Sequence, residues 1–164
     1  MEDIKEENIP SELKQRKRWL GMKLIYDKDL GKPSKIPINC NTGDMGSSTS
    51  EATWSSFSDA IAAVWCYKLD GIGFALGDGI LGIDIDHCVV EGKTYPEVQE
   101  IIDLLDSYTE YSYSGTGIHI LSLGEKPEDI IACKKKNFNG KGSDLEIYDK
   151  GRYFVVTGKI YGKG

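Results

Sequence analysis

The sequence predicts an α+β fold built on a largely antiparallel or mixed sheet. Two amphipathic helical patterns, at residues 57–69 and 96–108, lie among several short strand patterns. Glycine-containing turns join several of these strands, and such turns favour hairpins over the helical crossovers of a doubly wound sheet. With 164 residues, the chain is long enough to form one domain around a hydrophobic core.

The first third of the chain predicts one helix, one strand and a long loop. Ser11 is a suitable N-cap for a short helix that extends to about Trp19. Residues 19–26 (WLGMKLIY) then form a strand. The polar segment 27–50 is rich in Gly, Pro, Ser and Asn, which favour turns, so we expect a loop with a brief strand at 35–38.

The rest of the chain mixes strand and helix patterns. Thr53 or Ser55 is expected to cap the helix whose apolar positions begin at Phe57. Pro96 suits the first turn of the next helix. The remaining expectations are strands at 71–77 and 80–86 joined as a hairpin by Gly77-Asp78-Gly79, a strand at 117–123, a short helix at 127–133, and strands at 145–148 and 152–157 around a turn at 149–151.

Composition and charge exclude several classes of protein. No apolar run approaches the roughly 18 residues that span a bilayer, and the acidic start MEDIKEENIP is no secretory signal, so we expect no membrane association. The four cysteines form no C-x-x-C pair, which favours free thiols in a reducing cytoplasm. The net charge of −6 argues against coating nucleic acid by bulk charge alone, but the basic segments 14–18 and 134–142 allow a local basic groove.

Two aspartates one residue apart interrupt an apolar strand pattern in GIDIDHC (82–88). Strand side chains alternate between faces, so Asp84 and Asp86 share one face and the flanking isoleucines enter the core. Two close carboxylates repel each other unless a cation offsets their charge, and Mg²⁺ and Mn²⁺ prefer oxygen ligands. The pair therefore indicates a metal site or, alternatively, a strand end at which both aspartates are hydrated.

The segment LEIYD (145–149) repeats this arrangement with one acidic residue. The apolar neighbours of Glu146 are expected to face the core, so Glu146 projects from the opposite face of its strand. If that strand adjoins the one containing Asp84, Glu146 supplies a third oxygen ligand. Asp144 and Asp149 at the strand ends are alternative ligands, although a hydrated role is simpler there.

Small residues and glycines precede one of the two histidines in SYSGTGIH (112–119). Glycines let the backbone approach a ligand closely, and successive N–H groups can bind an anion. The imidazole of His119 could donate to a phosphate oxygen or to an attacking group, and the alternative is a hydrogen bond within the sheet. His87 follows Asp86 and would point to the other face, so we assign it a structural or supporting role.

An arginine opens the last strand pattern, GRYFVVTG (151–158). The planar guanidinium of Arg152 suits bidentate contact with phosphate, whereas an ion pair with Asp149 or Glu146 is the simpler alternative. The basic segment KKKNFNGKG (134–142) could follow a nucleic-acid backbone, or it could be only a solvated loop.

Several segments occur in a fixed order, which is more specific than any of them alone. They are GKPSKIPIN, Trp54 with Phe57 before a helix, GIGFAL, LGIDIDHC, YTEYSYSGTGIHI, LEIYD and RYFVVTG. In this order they resemble the primase–polymerase domain of phage and plasmid replication proteins, within the archaeo-eukaryotic primase superfamily. The resemblance extends from about Trp19 to Gly158.

The resemblance implies a fold and a set of residue roles. The fold is a catalytic sheet like that of the RNA-recognition motif (RRM-like), with an additional small α/β unit, in a single domain over residues 1–164. Asp84, Asp86 and Glu146 would coordinate the catalytic Mg²⁺ or Mn²⁺ ions. His119 would contact the phosphates of the incoming nucleotide. The further nucleotide contacts implied are Ser114, Gly115, Thr116 and Gly117 of the turn, Arg152, and Lys35 in GKPSKIPIN.

The activity implied is template-dependent nucleotidyl transfer by a two-metal mechanism, as a DNA primase, a DNA polymerase or both. Nucleoside triphosphates and single-stranded template and primer would be partners, with a helicase or another replication protein as a further one. The chain is expected to be either a short stand-alone protein or a domain excised from a longer one. Two alternatives are a catalytically silent module that binds nucleotide or nucleic acid for a replication complex, and a metal-dependent nuclease.

Overall fold

The computed structural model describes residues 3–29, 31–130 and 133–162. Within these ranges the chain forms three α-helices and eleven β-strands. The helices are α1 (Ser11–Lys14), α2 (Phe57–Cys66) and α3 (Pro96–Leu105). The strands are β1 (Trp19–Asp27), β2 (Lys32–Ile38), β3 (Gly71–Ala75), β4 (Ile80–Asp86), β5 (Val89–Val90), β6 (Lys93–Thr94), β7 (Tyr108–Tyr111), β8 (Ile118–Leu123), β9 (Lys134–Lys135), β10 (Asp144–Tyr148) and β11 (Tyr153–Val156).

The strands form two larger sheets and one isolated hairpin. The first sheet has the order β11-β3-β1-β2, the second has the order β7-β8-β4-β10-β9, and β5 pairs with β6. All of these pairs are antiparallel. The predicted α+β class with a largely antiparallel sheet is therefore confirmed.

Each sheet packs against its own helix. Helix α2 lies in an apolar cluster with Trp19 and Phe74 of the first sheet, and Leu121 of the second sheet joins the same cluster, so this cluster links both sheets. Helix α3 places Val98 in another cluster with Ile85 and other isoleucines of the second sheet. Within the described ranges, no helix is long and apolar enough to cross a membrane.

The expected hairpin at residues 77–79 is wrong, because β3 and β4 belong to different sheets. A bridge between Gly77 and Ile80 closes the turn, but the strands then separate. Strand β3 already pairs with β1 on one side and β11 on the other, so it has no free edge for β4. The turn at 149–151 likewise joins strands of different sheets, β10 and β11.

The first helix is shorter than predicted, and the strand at 35–38 is longer. Helix α1 starts at Ser11 and has only four residues, so Ser11 lies inside the helix and Pro10 precedes it. Extended backbone resumes at Trp19, the first residue of β1. Strand β2 extends beyond the predicted bounds because all seven of its residues pair with β1.

The cap of α2 differs from both predicted candidates. Ser56 accepts a hydrogen bond from the Asp59 N–H at 3.1 Å. Ser55 is buried and bridges to Trp19, which holds it in extended conformation, and Thr53 ends a short 3₁₀ turn. Thr53, Ser55 and Ser56 are all of a residue type that can cap a helix. The residue that does so is the one at which the extended segment ends, and the sequence does not show where that is.

Two later elements also end differently from the prediction. Helix α3 stops at Leu105 because Asp106 takes a left-handed conformation with φ 42°, and the following residues form β7. Residues 127–130 form a turn rather than the start of a helix, and residues 131 and 132 of that prediction lie outside the described residues.

A buried glutamate connects the two sheets. Glu110 on β7 has no solvent-exposed surface. Its carboxylate accepts hydrogen bonds from the backbone N–H groups of Thr157 and Gly158, at 2.8–3.1 Å, and from the Tyr108 hydroxyl at 2.6 Å. Because Thr157 and Gly158 follow β11, this carboxylate holds the end of the first sheet against the edge of the second.

Replacing Glu110 by alanine should destabilise the protein strongly. The substitution leaves two buried backbone N–H groups without an acceptor and opens a cavity, so we expect the free energy of unfolding to fall by about 2–4 kcal/mol. Urea unfolding of Glu110→Ala measures this loss, with Glu100→Ala on the exposed side of α3 as the control. Equal stability of the two variants would contradict the proposed link.

Candidate active site

A row of polar side chains crosses the second sheet from edge to edge. Directly opposite residues on antiparallel strands point to the same face of the sheet. The register places His119 opposite Asp84 and Asp84 opposite Glu146, so β4 and β10 adjoin as a shared site requires. The charged row, as we call it, consists of Glu110, His119, Asp84, Glu146 and Lys134.

Asp84, at the centre of the charged row, is poorly compensated. Its Oδ1 atom is buried and accepts no hydrogen bond. Burial, together with the negative charges of Asp86 and Glu146, raises the pKa of Asp84 to about 7. Because an unpaired buried carboxylate is costly, this position favours either a proton or a cation.

The imidazole of His119 is held between the two sheets. Its Nδ1 lies 3.1 Å from the carbonyl oxygen of Val155, to which an Nδ1–H donates, and the ring packs against Phe154. Its Nε2 lies 3.5 Å from Oδ1 of Asp84. Burial lowers the pKa of His119 and favours the neutral ring, in which Nε2 is an acceptor and cannot donate to the carboxylate.

Glu146 has a partner for each of its oxygens. The Nζ atom of Lys134 lies 2.6 Å from Oε1, and the Tyr148 hydroxyl donates to Oε2 at 2.7 Å. Burial alone would raise the pKa of Glu146, but the hydrogen bonds from Lys134 and Tyr148 outweigh it, so the pKa is lowered. Glu146 therefore carries its charge beside a less readily ionised Asp84.

A cleft of about 240 Å³ opens over the centre of the charged row. Arg152 is one of the residues that line it, and its guanidinium carbon lies 4.9 Å from the centre of the Tyr148 ring. Carboxylates and cationic side chains thus face one space, which suits an anionic ligand that binds together with metal ions. The residues predicted from the sequence that line this cleft are Lys35, Asp84, His119, Glu146 and Arg152.

Asp86 lies two residues along β4 from Asp84 and is not part of the charged row. It shares a face of β4 with Asp84 but is opposite Asp144 rather than Glu146. In the part of the chain that the structure describes, no three Asp, Glu, His or Cys side chains stand ready to hold a metal ion. The donors nevertheless fit a hard divalent cation, because Asp84 keeps an unpaired buried oxygen beside the ionised Glu146.

The predicted phosphate-binding turn lies at the start of β8, beside the end of β4. Gly117 packs so tightly that a Cβ atom there would lie 2.7 Å from a β4 carbonyl oxygen. The N–H groups of residues 115–117 donate to oxygen atoms of Ser112 and Ser114 within the turn. Ser114 and Gly115 line a separate cleft of about 360 Å³. Phosphate contact by Thr116 and its neighbours stays a prediction. Because the N–H groups of the turn are already bonded, such contact would use the side-chain hydroxyl groups or require the backbone of the turn to rearrange.

The alternative acidic residues have other contacts, and the second histidine lies just beyond its strand. Asp144 accepts a hydrogen bond from the Asn137 N–H at 2.9 Å, and Asp149 accepts one from the Lys126 N–H at 3.0 Å. His87 is exposed and follows β4 in a left-handed conformation with φ 54°. These contacts fit structural roles at the strand ends.

Three residues at the site were not predicted from the sequence. Tyr148 could have been, because it lies two residues after Glu146 and therefore on the same face of a strand. Glu110 and Lys134 could not, because their places depend on two edge strands, β7 and β9, that the sequence pattern does not indicate.

The site thus combines carboxylates and a histidine on an antiparallel sheet with basic side chains around the same cleft. No protein-family model matches the chain. In an alignment of 142 residues that covers 84% of the chain, the chain is 36% identical to the DNA primase-polymerase of Nitratiruptor phage NrS-1. The chain spans only 19% of that protein's length. This similarity confirms the resemblance that the motifs indicated and supports a primase–polymerase domain.

Replacing Asp84 by asparagine should stabilise the metal-free protein, and only at higher pH. The pKa of Asp84 is raised from 3.8 to about 7 on folding, so the folded protein keeps a proton that the unfolded chain has released. The free energy of unfolding therefore falls as the pH rises through this window, and stays lower above it. At about 1.4 kcal/mol per pKa unit, Asp84→Asn should gain at most a few kcal/mol near pH 8 and nothing near pH 4.

Urea unfolding with a chelator at both pH values measures this difference. Asp103→Asn, at an exposed position of α3, is the control and should change little at either pH. A stability gain from Asp84→Asn that is equal at both pH values would contradict the buried-charge explanation.

Proposed function

We propose that this chain is the catalytic domain of a template-dependent nucleotidyltransferase. It joins nucleoside triphosphates to a primer 3′-hydroxyl, as a DNA primase, a DNA polymerase or both. Its two sheets would correspond to the RRM-like catalytic sheet and the additional unit of the archaeo-eukaryotic primases. Its substrates would include single-stranded template and primer, with a helicase or another replication protein as a partner in the cytoplasm.

The observation that carries this proposal is the place of Asp84 between two functional neighbours. Asp84 lies opposite His119 on one strand and opposite Glu146 on the other, at the floor of a cleft with basic side chains. The similarity to a phage DNA primase-polymerase gives independent support.

In this proposal, Asp84, Asp86 and Glu146 hold two divalent ions, Mg²⁺ or Mn²⁺. When bound, the ions supply the charge that lowers the pKa of the attacking hydroxyl and stabilises the departing pyrophosphate. The carboxylates lie on paired strands, so their positions are fixed before the substrate binds. The protein's own contribution would be mainly positioning and charge compensation.

The basic residues of the cleft would bind the triphosphate. His119 keeps one ring nitrogen on the Val155 carbonyl, so contact with a phosphate oxygen requires a proton on Nε2. The negative charge of a triphosphate favours that proton. Arg152 would offer a planar guanidinium to phosphate oxygens, and Lys35 would add a further positive charge.

A second candidate function is a catalytically silent module that binds nucleotide within a larger replication complex. The net charge of −6 favours it, because a strongly acidic chain is poorly suited to hold a duplex by itself. Calorimetric titration distinguishes the candidates: metal-dependent nucleotide binding without polymer formation on any template would support the module.

Removing both aspartates of the D-x-D motif should abolish polymer synthesis. The chain is incubated with a primed template, dNTPs or rNTPs, and Mg²⁺ or Mn²⁺, and Asp84→Ala/Asp86→Ala should lower product formation by about three orders of magnitude or more. Asp103→Ala/Asp129→Ala removes two exposed aspartates and is the matched control. Product from the first double variant at the control's level would refute the metal mechanism, and cleavage of labelled DNA without nucleotides would indicate a nuclease.

A further inference from the structure

The ion pair between Lys134 and Glu146 occupies a position that the proposed function assigns to a metal ion. The Lys134 ammonium lies 2.6 Å from Oε1 of Glu146, on the strand next to it. The Tyr148 hydroxyl binds the other oxygen. In this arrangement a positive charge already compensates Glu146, and an ammonium 2.6 Å from Oε1 repels a metal cation that approaches the same oxygen.

The lysine is well placed to leave this position. Its side chain is 54% exposed, and its strand, β9, is an edge strand of only two residues. Ion pairs at a protein surface contribute only about 1 kcal/mol or less to stability, and Glu146, whose side chain is only 20% exposed, keeps the hydrogen bond from Tyr148 when the ammonium leaves. A divalent cation bound by several carboxylates can therefore displace the ammonium at small cost.

The displaced ammonium has a suitable acceptor nearby. Glu146 lines the cleft that also contains Arg152 and Lys35, so Lys134 is bound at the margin of the space where a triphosphate would lie. Lysine is a compact, flexible cation that binds phosphate oxygens without a fixed geometry. Moving from a carboxylate to a phosphate keeps the ammonium paired with a negative charge throughout.

We propose, on the basis of the proposed function, that Lys134 compensates the charge of Glu146 in the nucleotide-free protein. When metal binds, its ammonium group moves to the triphosphate of the incoming nucleotide. Lys134 is then both a competitor of the metal and a ligand of the nucleotide. A purely structural ion pair would have neither property. Removing the charge of Lys134 should therefore strengthen metal binding and weaken nucleotide binding.

The neighbouring lysine provides a matched control. Lys135 lies on the same two-residue strand and is also exposed, but it is opposite Leu145 and so points to the other face of the sheet. Lys134→Met and Lys135→Met therefore remove the same charge from adjacent positions. Lys134→Arg keeps the charge at the site and tests rescue.

The experiment measures two binding reactions on the whole chain. Mn²⁺ binding without nucleotide is followed by electron paramagnetic resonance, and Lys134→Met should bind Mn²⁺ about threefold tighter than the wild type, since it lacks the competitor. Binding of a non-hydrolysable deoxynucleoside triphosphate with Mn²⁺ should become roughly tenfold weaker, since a charged hydrogen bond is lost. Lys135→Met should match the wild type in both, and Lys134→Arg should restore nucleotide binding.

Each result decides one part of the proposal. Unchanged or weaker Mn²⁺ binding by Lys134→Met, or no Mn²⁺ binding by either protein, overturns the competitor role. Unchanged nucleotide binding overturns the transfer to the triphosphate. A wild-type chain that binds Mn²⁺ and nucleotide but makes no polymer would refute the proposed polymerase activity, while the two binding shifts would still test Lys134.

Discussion

The central constraint in this protein is a carboxylate, Asp84, held inside a sheet between two other titratable side chains. Cross-strand neighbours cannot move apart without breaking the ladder of backbone hydrogen bonds, so the sheet fixes the repulsion between Asp84 and Glu146. Burial adds to that repulsion by removing solvent from one oxygen of Asp84. Such a site is unfavourable by itself, and either a proton or a bound cation would offset its charge.

The first sheet orients the site although the acidic side chains of the charged row all lie on the second sheet. The Val155 carbonyl of β11 fixes one nitrogen of His119, and the backbone that follows β11 is bound by Glu110. Both contacts lie between the sheets, within a few residues of each other at the C-terminal end of β11. The direction of the imidazole therefore depends on how the sheets are joined as much as on the strand that carries it.

The site combines rigid and movable groups according to their position in the sheet. Asp84 and His119 lie on central strands, β4 and β8, which are paired on both sides. Lys134 lies on a short edge strand, and Arg152 and Lys35 reach the cleft with long, flexible side chains. This distribution suits chemistry in which carboxylates stay fixed while cationic groups follow a mobile triphosphate.

The sequence alone determined the fold class, most strands and the residues of the site centre, because strand alternation and side-chain chemistry are local properties. Asp84, His119 and Glu146 could each be identified from their own segments. The sequence could not determine that β3 and β4 part into different sheets, or that Lys134 lies opposite Glu146, since the same glycine turn and the same basic run fit other pairings. Only the tertiary structure decides these points, because strand order and register depend on which edges other segments already occupy.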